Sequence, residues 1–96
     1  MFDKRSSVYI MSSKSGVLYI GITSDLVNRV NEHKLGIRKG FSEKYKTKKL
    51  VYYEQFGEIR LAIVREKQLK GWSRNKKLSL IKSINPELKD LSLEWE

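Results

Sequence analysis

Arg29 and His33 lie four residues apart, the spacing at which two side chains share one face of a helix. A wheel of 100° per residue places both at one edge of an apolar stripe formed by Leu26, Val27 and Val30. A cationic pair at that position could face a phosphate. The alternative is a surface arginine beside a partly packed histidine, and His33 is the only histidine in the chain.

Glu66 falls in the middle of the apolar face of a second predicted helix, over residues 58–70. Four apolar residues define that face: Ile59, Ala62, Ile63 and Leu69. A carboxylate placed there is costly to desolvate unless it is paired or binds a metal ion. Two structural alternatives remain open. Lys70, one turn later, could pair with Glu66, or Leu61 and Val64 could form the true core face and leave Glu66 outside.

Five tyrosines are spread unevenly over the predicted elements. Tyr9 and Tyr19 lie on two adjacent strands, Tyr45 lies in a basic loop, and Tyr52 and Tyr53 lie on a third strand. Strand tyrosines commonly pack with one face and keep the hydroxyl wet. None of them indicates catalysis by itself.

Three strands and three helices are predicted to position these groups, in the order β-β-α-β-α-α. The strands are expected over residues 8–12, 17–22 and 50–56, and the first two form a hairpin across a Ser-Lys-Ser-Gly turn. Residues 37–49 are polar and basic and are predicted to be mostly loop. This order favours an α+β fold in which helices flank a small, mainly antiparallel three-stranded sheet.

Helix boundaries follow from capping residues. Thr23 or Ser24 is expected to cap the first helix, with Asp25 in its first turn. The predicted stops and starts of the helices are Gly36, Gly71, a cap at Ser73 and an end before Asn85-Pro86. The tail from residue 87 carries Leu88, Leu91, Leu93 and Trp95, and we expect these side chains to lie back over the core.

The net charge of the chain indicates which class of molecule it binds. Twenty Lys and Arg against eleven Asp and Glu give a formal net charge of +9 in 96 residues. Nucleic acid is the first candidate partner, because neutralised phosphates release condensed counterions.

Without cysteine the chain has neither disulfides nor thiolate-bound zinc. With neither a long apolar run nor a signal-peptide pattern, we expect one cytoplasmic domain over residues 1–96, no membrane contact, and a monomer or weak homodimer.

The hairpin supports a more specific interpretation. Ser7-Val8-Tyr9 and Tyr19-Ile20-Gly21, separated by nine residues, resemble the two-part signature of the GIY-YIG endonucleases. The second half matches the motif letter for letter, and the first half keeps the tyrosine. Arg29 and His33 resemble the family's Arg-x-x-x-His helix, and Glu66 stands where the family places its metal-binding glutamate. The resemblance covers about residues 8–91 and is greatest to small, stand-alone bacterial members.

The resemblance implies phosphodiester hydrolysis with one Mg²⁺ or Mn²⁺ ion. It implies that Glu66 holds the metal, that Arg29 neutralises charge on the phosphoryl group, and that Tyr19 activates or orients the attacking water. Tyr9 would assist through the same hydrogen-bonded cluster, and His33 would serve as a secondary base or phosphate contact. Gly21 belongs to the structural motif. A chain this short has no room for a separate DNA-targeting domain, so we expect low sequence specificity.

Basic residues around these groups are expected to contact nucleic acid. They are accompanied by one tyrosine, and the set is Lys34, Arg38, Lys39, Lys44, Tyr45, Lys46, Lys70 and Arg74.

The leading hypothesis is a metal-dependent DNA endonuclease that recognises DNA by shape, in repair or recombination. The alternative is a basic DNA- or RNA-binding module without cleavage. A ribosomal-type RNA-binding protein is a third hypothesis, but it requires no buried glutamate.

Overall fold

The computed structural model describes residues 5–37 and 40–95, apart from the side chain of Ser42. Within these described residues, three strands, four α-helices and a terminal 3₁₀-helix follow one another. Their bounds are β1 Ser6–Ser12, β2 Leu18–Thr23, α1 Leu26–Leu35, α2 Phe41–Tyr45, β3 Lys49–Phe56, α3 Ile59–Lys70, α4 Arg74–Ile84, and the 3₁₀-helix Leu91–Glu94. The predicted α+β class and the predicted order of the principal elements are confirmed.

A three-stranded antiparallel sheet forms the centre, in the order β2-β1-β3. Every residue of the central strand β1 is buried, because helices or the C-terminal tail cover both faces of the sheet. Tyr9 stands at the middle of this strand, opposite Gly21 on one side and Tyr53 on the other. The hairpin therefore brings the two halves of the tyrosine motif directly beside each other.

Alternation along β1 divides the core into two clusters. Val8 and Ile10 point towards the cluster that includes Ala62 and Leu69 of α3. Tyr9 and Met11 point to the opposite face, where Leu26 and Val30 of α1 pack together with Leu91 and Trp95. The first helix and the third helix therefore cover opposite faces of the sheet.

The helix ends largely follow the predicted caps. Gly36 adopts a left-handed conformation (φ 72°) at the end of α1, and the Ser73 hydroxyl caps α4. The predicted cap at Thr23 or Ser24 is wrong. Asp25 is itself the N-cap of α1, and its carboxylate accepts a hydrogen bond of 3.3 Å from the Asn28 N–H. Thr23 instead accepts from the Asp25 N–H, which fixes the chain just before the helix.

The prediction that residues 37–49 form mostly loop is wrong at α2. A five-residue helix is too short to show a helical repeat of apolar residues, and neighbouring rings provide the contacts it makes. Phe41 and Tyr45, one turn apart, have ring centroids separated by 4.7 Å, and Phe41 stacks on Tyr19 at 6.1 Å. Contact with β2 therefore accompanies helix formation here.

The C-terminal tail lies against the open edge of β3. The Asp90 carboxylate accepts from the Leu50 N–H at 3.2 Å and binds Lys34 of α1, while the Asn85 amide donates to the Val51 carbonyl at 3.0 Å. Such contacts satisfy backbone groups at a sheet edge that would otherwise attract another strand. Leu88, Leu91 and Trp95 pack on the core as expected, whereas Leu93 is exposed, contrary to the prediction.

Across the described residues, no helix has the length and apolar character that a bilayer crossing requires.

Candidate active site

Tyr9 and His33 form a buried polar pair between the sheet and α1. The Tyr9 hydroxyl lies 2.9 Å from Nε2 of His33, and both side chains are buried. Gly21 makes this placement possible. A Cβ at position 21 would lie 2.5 Å from both Cζ and the hydroxyl oxygen of Tyr9, far inside van der Waals contact. The glycine of the second motif thus provides the space for the tyrosine of the first.

Tyr19 completes a cluster of three rings. Its centroid lies 6.2 Å from that of Tyr9 and 5.1 Å from that of His33, and the Tyr9 and His33 centroids are 5.5 Å apart. Tyr19 is only partly buried, unlike the other two rings. It also lines a surface depression of about 260 Å³ with Phe41, Lys70 and Lys77. Tyr19 is therefore the member of the cluster that can meet a ligand from solvent.

Arg29 lies along the same face, one helical turn before His33. Its Nη1 approaches the Ile22 carbonyl at 3.5 Å, next to Gly21, and its Nε lies 3.2 Å from a carboxylate oxygen of Glu32. About a quarter of the arginine side chain remains accessible. Glu32 is absent from the predicted site residues, although its i,i+3 spacing from Arg29 could have indicated this pairing.

Glu66 lies on the buried side of α3, with a side chain only 15% exposed. Its Oε2 is 2.7 Å from the Lys70 ammonium, so the ion-pair alternative is observed. Leu61 and Val64 are exposed, which excludes them as the core face. The predicted apolar face is nevertheless too broad, because Ile59 and Ile63 are exposed as well and only its other two members, Ala62 and Leu69, are buried.

Lys70 joins Glu66 to the tyrosine cluster. The lysine that pairs with Glu66 also lines the depression beside Tyr19. Because β2 is an edge strand, groups from the α1 face and the α3 face can both reach the depression at that edge. The structure thus places Tyr9, Tyr19, His33 and Gly21 together. Glu66 lies on α3, on the other side of the sheet, and its partner Lys70 reaches the depression beside Tyr19.

A hydrated divalent ion fits the donors at this position. Among the residues that the structure describes, no three His, Cys, Asp or Glu side chains form a metal-binding group. An ion bound there would have Glu66 as its carboxylate ligand and water as most of the rest. Mg²⁺ accepts this arrangement because it dehydrates reluctantly and commonly binds through one or two carboxylates. The nearby ammonium of Lys70 shows that the Glu66 carboxylate attracts a cation.

Comparison with known proteins identifies the family. A model of the GIY-YIG catalytic domain matches residues 5–79. The chain belongs to the GIY-YIG family. It is 40% identical over 82 residues to a UPF0213 protein of Clostridium perfringens, a match that covers 83% of this chain and 88% of the relative. A UPF0213 protein of Staphylococcus saprophyticus is 36% identical over 74 residues, covering 77% and 90% of the two chains.

A solved structure supports the same assignment. The solution NMR structure of a UPF0213 protein from Bacillus halodurans superimposes with a TM-score of 0.57 at 26% sequence identity. The alignment covers 94% of this chain and 97% of that one. The fold shared with that UPF0213 protein therefore covers more of the chain than residues 5–79, which the family model matches.

The basic residues predicted to contact nucleic acid occupy several separate places on this GIY-YIG domain. Lys34 forms an ion pair with Asp90, and Arg74 donates to the Gly16 carbonyl at 2.6 Å. Lys44 lies 5.4 Å from the centroid of the Tyr45 ring. Lys46 follows α2, and Lys70 lies beside Tyr19. Arg38 and Lys39 lie outside the described residues.

A polar network joins β3 to α3 and is missing from the sequence prediction. Arg65 makes a bidentate contact with Glu54, at 2.9 and 3.0 Å, and Tyr52 hydrogen-bonds to the same carboxylate. Burial and the Glu54 carboxylate raise the pKa of Tyr52 to about 12. Burial alone would raise the pKa of Glu54, but hydrogen bonds from Arg65 and Tyr52 bring it below its usual value. This network fastens α3, the helix that carries Glu66.

Proposed function

We propose that this GIY-YIG domain is a metal-dependent endonuclease that hydrolyses DNA phosphodiester bonds with low sequence specificity. The observation that supports it most directly is the convergence of Tyr9, Tyr19 and His33 beside a depression that also holds the partner of Glu66. A packing role explains the buried Tyr9, but it does not explain why the lysine that pairs with the largely buried Glu66 lines the same depression as the partly exposed Tyr19.

Tyr19 is the residue suited to orient the attacking water. Its ring borders the depression, so its hydroxyl can meet a water molecule next to a bound phosphate. Tyr9 is buried and its hydroxyl is bound to His33, so it acts as a positioning residue for the histidine. His33, whose ring centroid lies 5.1 Å from that of Tyr19, is proposed as a secondary base in this cluster.

Arg29 supplies positive charge to the phosphoryl oxygens. A planar guanidinium can bind two oxygens at once, and charge stabilisation that develops in the transition state is often the largest contribution to such a reaction. To do so, Arg29 must exchange part of its contact with Glu32 for the phosphate. Glu32 thus holds the guanidinium in place before substrate arrives.

Glu66 is the residue that would hold Mg²⁺ or Mn²⁺. When bound, such an ion stabilises charge on the departing oxygen of the phosphodiester. With an ion at Glu66, Lys70 would lose its carboxylate partner and would be available to the DNA phosphate, because its side chain already lines the depression beside Tyr19.

DNA is the proposed substrate class, and a net charge of +9 supports binding through the phosphate backbone. Backbone contacts position a duplex but carry no base information, which accords with low sequence specificity. Recognition of DNA shape, as in repair or recombination, is the finer part of this proposal. The competing hypothesis of a binding module without cleavage shares the charge but assigns no role to Glu66.

The test is a nicking assay on supercoiled plasmid and on a branched DNA of unrelated sequence. We expect cleavage of both in Mg²⁺ or Mn²⁺, and no cleavage in excess chelator. Readdition of the metal should restore activity, which separates metal removal from loss of protein. Binding of both DNAs without cleavage in any divalent metal would favour the binding module, and cleavage undiminished by chelator would exclude a role for the metal.

A further inference from the structure

A groove of about 500 Å³ lies between the β1–β2 turn and the segment that joins α2 to β3. Four lysines, three serines and one tyrosine line it: Lys14, Lys46, Lys48, Lys49, Ser12, Ser13, Ser15 and Tyr45. None of these described lining residues is acidic. Because four of the lining side chains are cationic and none of the described ones is a carboxylate, the groove attracts an anion with several negative charges.

Local contacts fix the two walls of the groove. On the hairpin wall, the Ser13 hydroxyl accepts from the Val17 N–H at 2.9 Å and lies 3.0 Å from the Ser15 hydroxyl. On the other wall, Lys46 adopts a left-handed conformation (φ 55°) that few non-glycine residues adopt. The next residue, Thr47, is fully buried and anchors the turn. The lysines therefore project from an ordered frame.

An aromatic row connects this groove to the candidate active site. Tyr19 stacks on Phe41 at 6.1 Å, and Phe41 contacts Tyr45 at 4.7 Å. Tyr19 and Phe41 line the depression at β2, whereas Tyr45 lines the lysine groove. Phe41 and Tyr45 are 47% and 42% exposed, so both rings keep a surface that a nucleic-acid strand can contact. The two ring-to-ring steps together span at most about three nucleotides of a strand that rises roughly 3.4 Å per nucleotide.

We propose that the lysine groove binds the phosphate backbone of the cleaved DNA strand, about two or three nucleotides to one side of the scissile phosphate. Phe41 and Tyr45 carry the strand from Tyr19 to the groove, and Lys14, Lys46 and Lys48 neutralise its phosphates. Lys49 shapes the wall, because its ammonium already donates to the Leu88 carbonyl at 3.1 Å. This inference rests on the proposed function for the position of the cut, but the groove itself can be tested by binding.

The binding test uses chains that also carry Glu66→Gln, so that cleavage does not interfere. Lys14→Gln with Lys48→Gln removes two lysines from the groove, and Lys82→Gln with Lys89→Gln removes two exposed lysines that do not line it. Affinity for a fluorescent DNA oligonucleotide is measured between roughly 50 and 200 mM salt. Because each lost phosphate contact lowers the salt slope by roughly 0.7–0.9, the groove variant should lose about 1.5 from its slope. The control variant should keep the slope of the parent, and equal slopes for the two variants would overturn the proposal.

The position test uses the chain with Glu66 intact and substrates shortened one nucleotide at a time from either side of the cut. We expect one side only to show a step in apparent affinity, when the second or third nucleotide is removed. The step should vanish in the Lys14→Gln, Lys48→Gln variant. A step that persists there would contradict the assigned strand path. If the chain does not cleave at all, the proposed function fails, while the salt slopes still decide whether the groove binds phosphates.

Discussion

The Tyr9 hydroxyl and Nε2 of His33 are 2.9 Å apart in the interior, with the tyrosine ring lying directly over Gly21. This relationship joins β1, β2 and α1 at one point. It explains why a Tyr-Ile-Gly sequence follows a first tyrosine across a hairpin: the two motifs are opposite each other at Tyr9 and Gly21. Disturbing any one of the three residues should therefore affect both the fold and the candidate chemistry.

Gly21→Ala should disrupt this arrangement. The new methyl group would lie 2.5 Å from Tyr9, and a fully buried ring has no free space into which to withdraw. Overpacking of this kind destabilises a core by about 1–3 kcal/mol. Chemical denaturation measures the loss. Gly57→Ala is the matched control, because a methyl group at position 57 would meet no neighbouring atom within 4 Å, and it should be neutral. Equal stability of the two variants would show that the Tyr9 ring can move away from position 21 without destabilising the fold.

Tyr9→Phe should remove the hydrogen bond to His33 and keep the ring. An unsatisfied buried partner destabilises a protein by about 1–3 kcal/mol, so a moderate loss of stability is expected. If Tyr9 positions His33, the pH dependence of cleavage should also change, which a purely structural role would not produce. Tyr53→Phe, at the opposite cross-strand position, is the control. An unchanged pH profile in Tyr9→Phe would remove the positioning role.

Asp90→Asn should loosen the tail and flatten the acid limb of the stability curve. Burial would raise the pKa of Asp90, but hydrogen bonds from Lys34, Ser92 and Leu50 hold it below the ordinary value. A lowered pKa stabilises the fold above the unfolded value of about 3.9, and that contribution disappears as pH falls through the folded pKa. Urea unfolding from about pH 7 to pH 3 should show lower neutral stability and a weaker acid dependence in the variant.

The control for the tail is Asp25→Asn, because asparagine caps a helix as well as aspartate does. It should preserve both the neutral stability and the acid limb. Some acid dependence should persist in Asp90→Asn, since the pKa of Glu54 is also lowered by its partners. An acid limb as steep as that of the unchanged protein would mean that Asp90 contributes little to the fold.

Much of this architecture is predictable because the relevant signals are local. Short runs of apolar, β-branched and aromatic residues bounded by turn residues mark the strands. Gly36 and Ser73 mark helix ends through backbone conformation and capping alone. The short helix α2 is not predictable in this way, since its ring contacts come from Tyr19, some twenty residues earlier in the chain. Asp90 likewise looks like an ordinary surface aspartate until the fold places it beside Leu50 and Lys34.

The candidate site likewise has features that local sequence signals predict and features that only the fold reveals. The spacing of Arg29 and His33 predicts a shared helix face, and the helical wheel predicts that Glu66 is shielded. The i,i+4 spacing allows Lys70 to pair with Glu66, but it cannot show that this lysine lines the same depression as Tyr19. The sequence also does not predict the lysine groove. Lys14 and Lys48 lie far apart in the chain, and they line one groove only because the hairpin turn approaches the start of β3.

A comparison of Glu66→Gln with Glu87→Gln tests most directly whether Glu66 acts in catalysis. Each change removes one carboxylate from an ion pair with a lysine, but the Glu87–Lys89 pair is largely exposed and the Glu66 side chain is not. Single-turnover cleavage and equilibrium DNA binding are measured side by side, with thermal melts to check folding. If Glu66 acts on the transition state, Glu66→Gln should reduce the cleavage rate by at least about 10²-fold with DNA affinity almost unchanged, whereas Glu87→Gln should cleave normally. Cleavage by Glu66→Gln at the unaltered rate would rule out a catalytic role for Glu66 and leave it as a structural partner of Lys70.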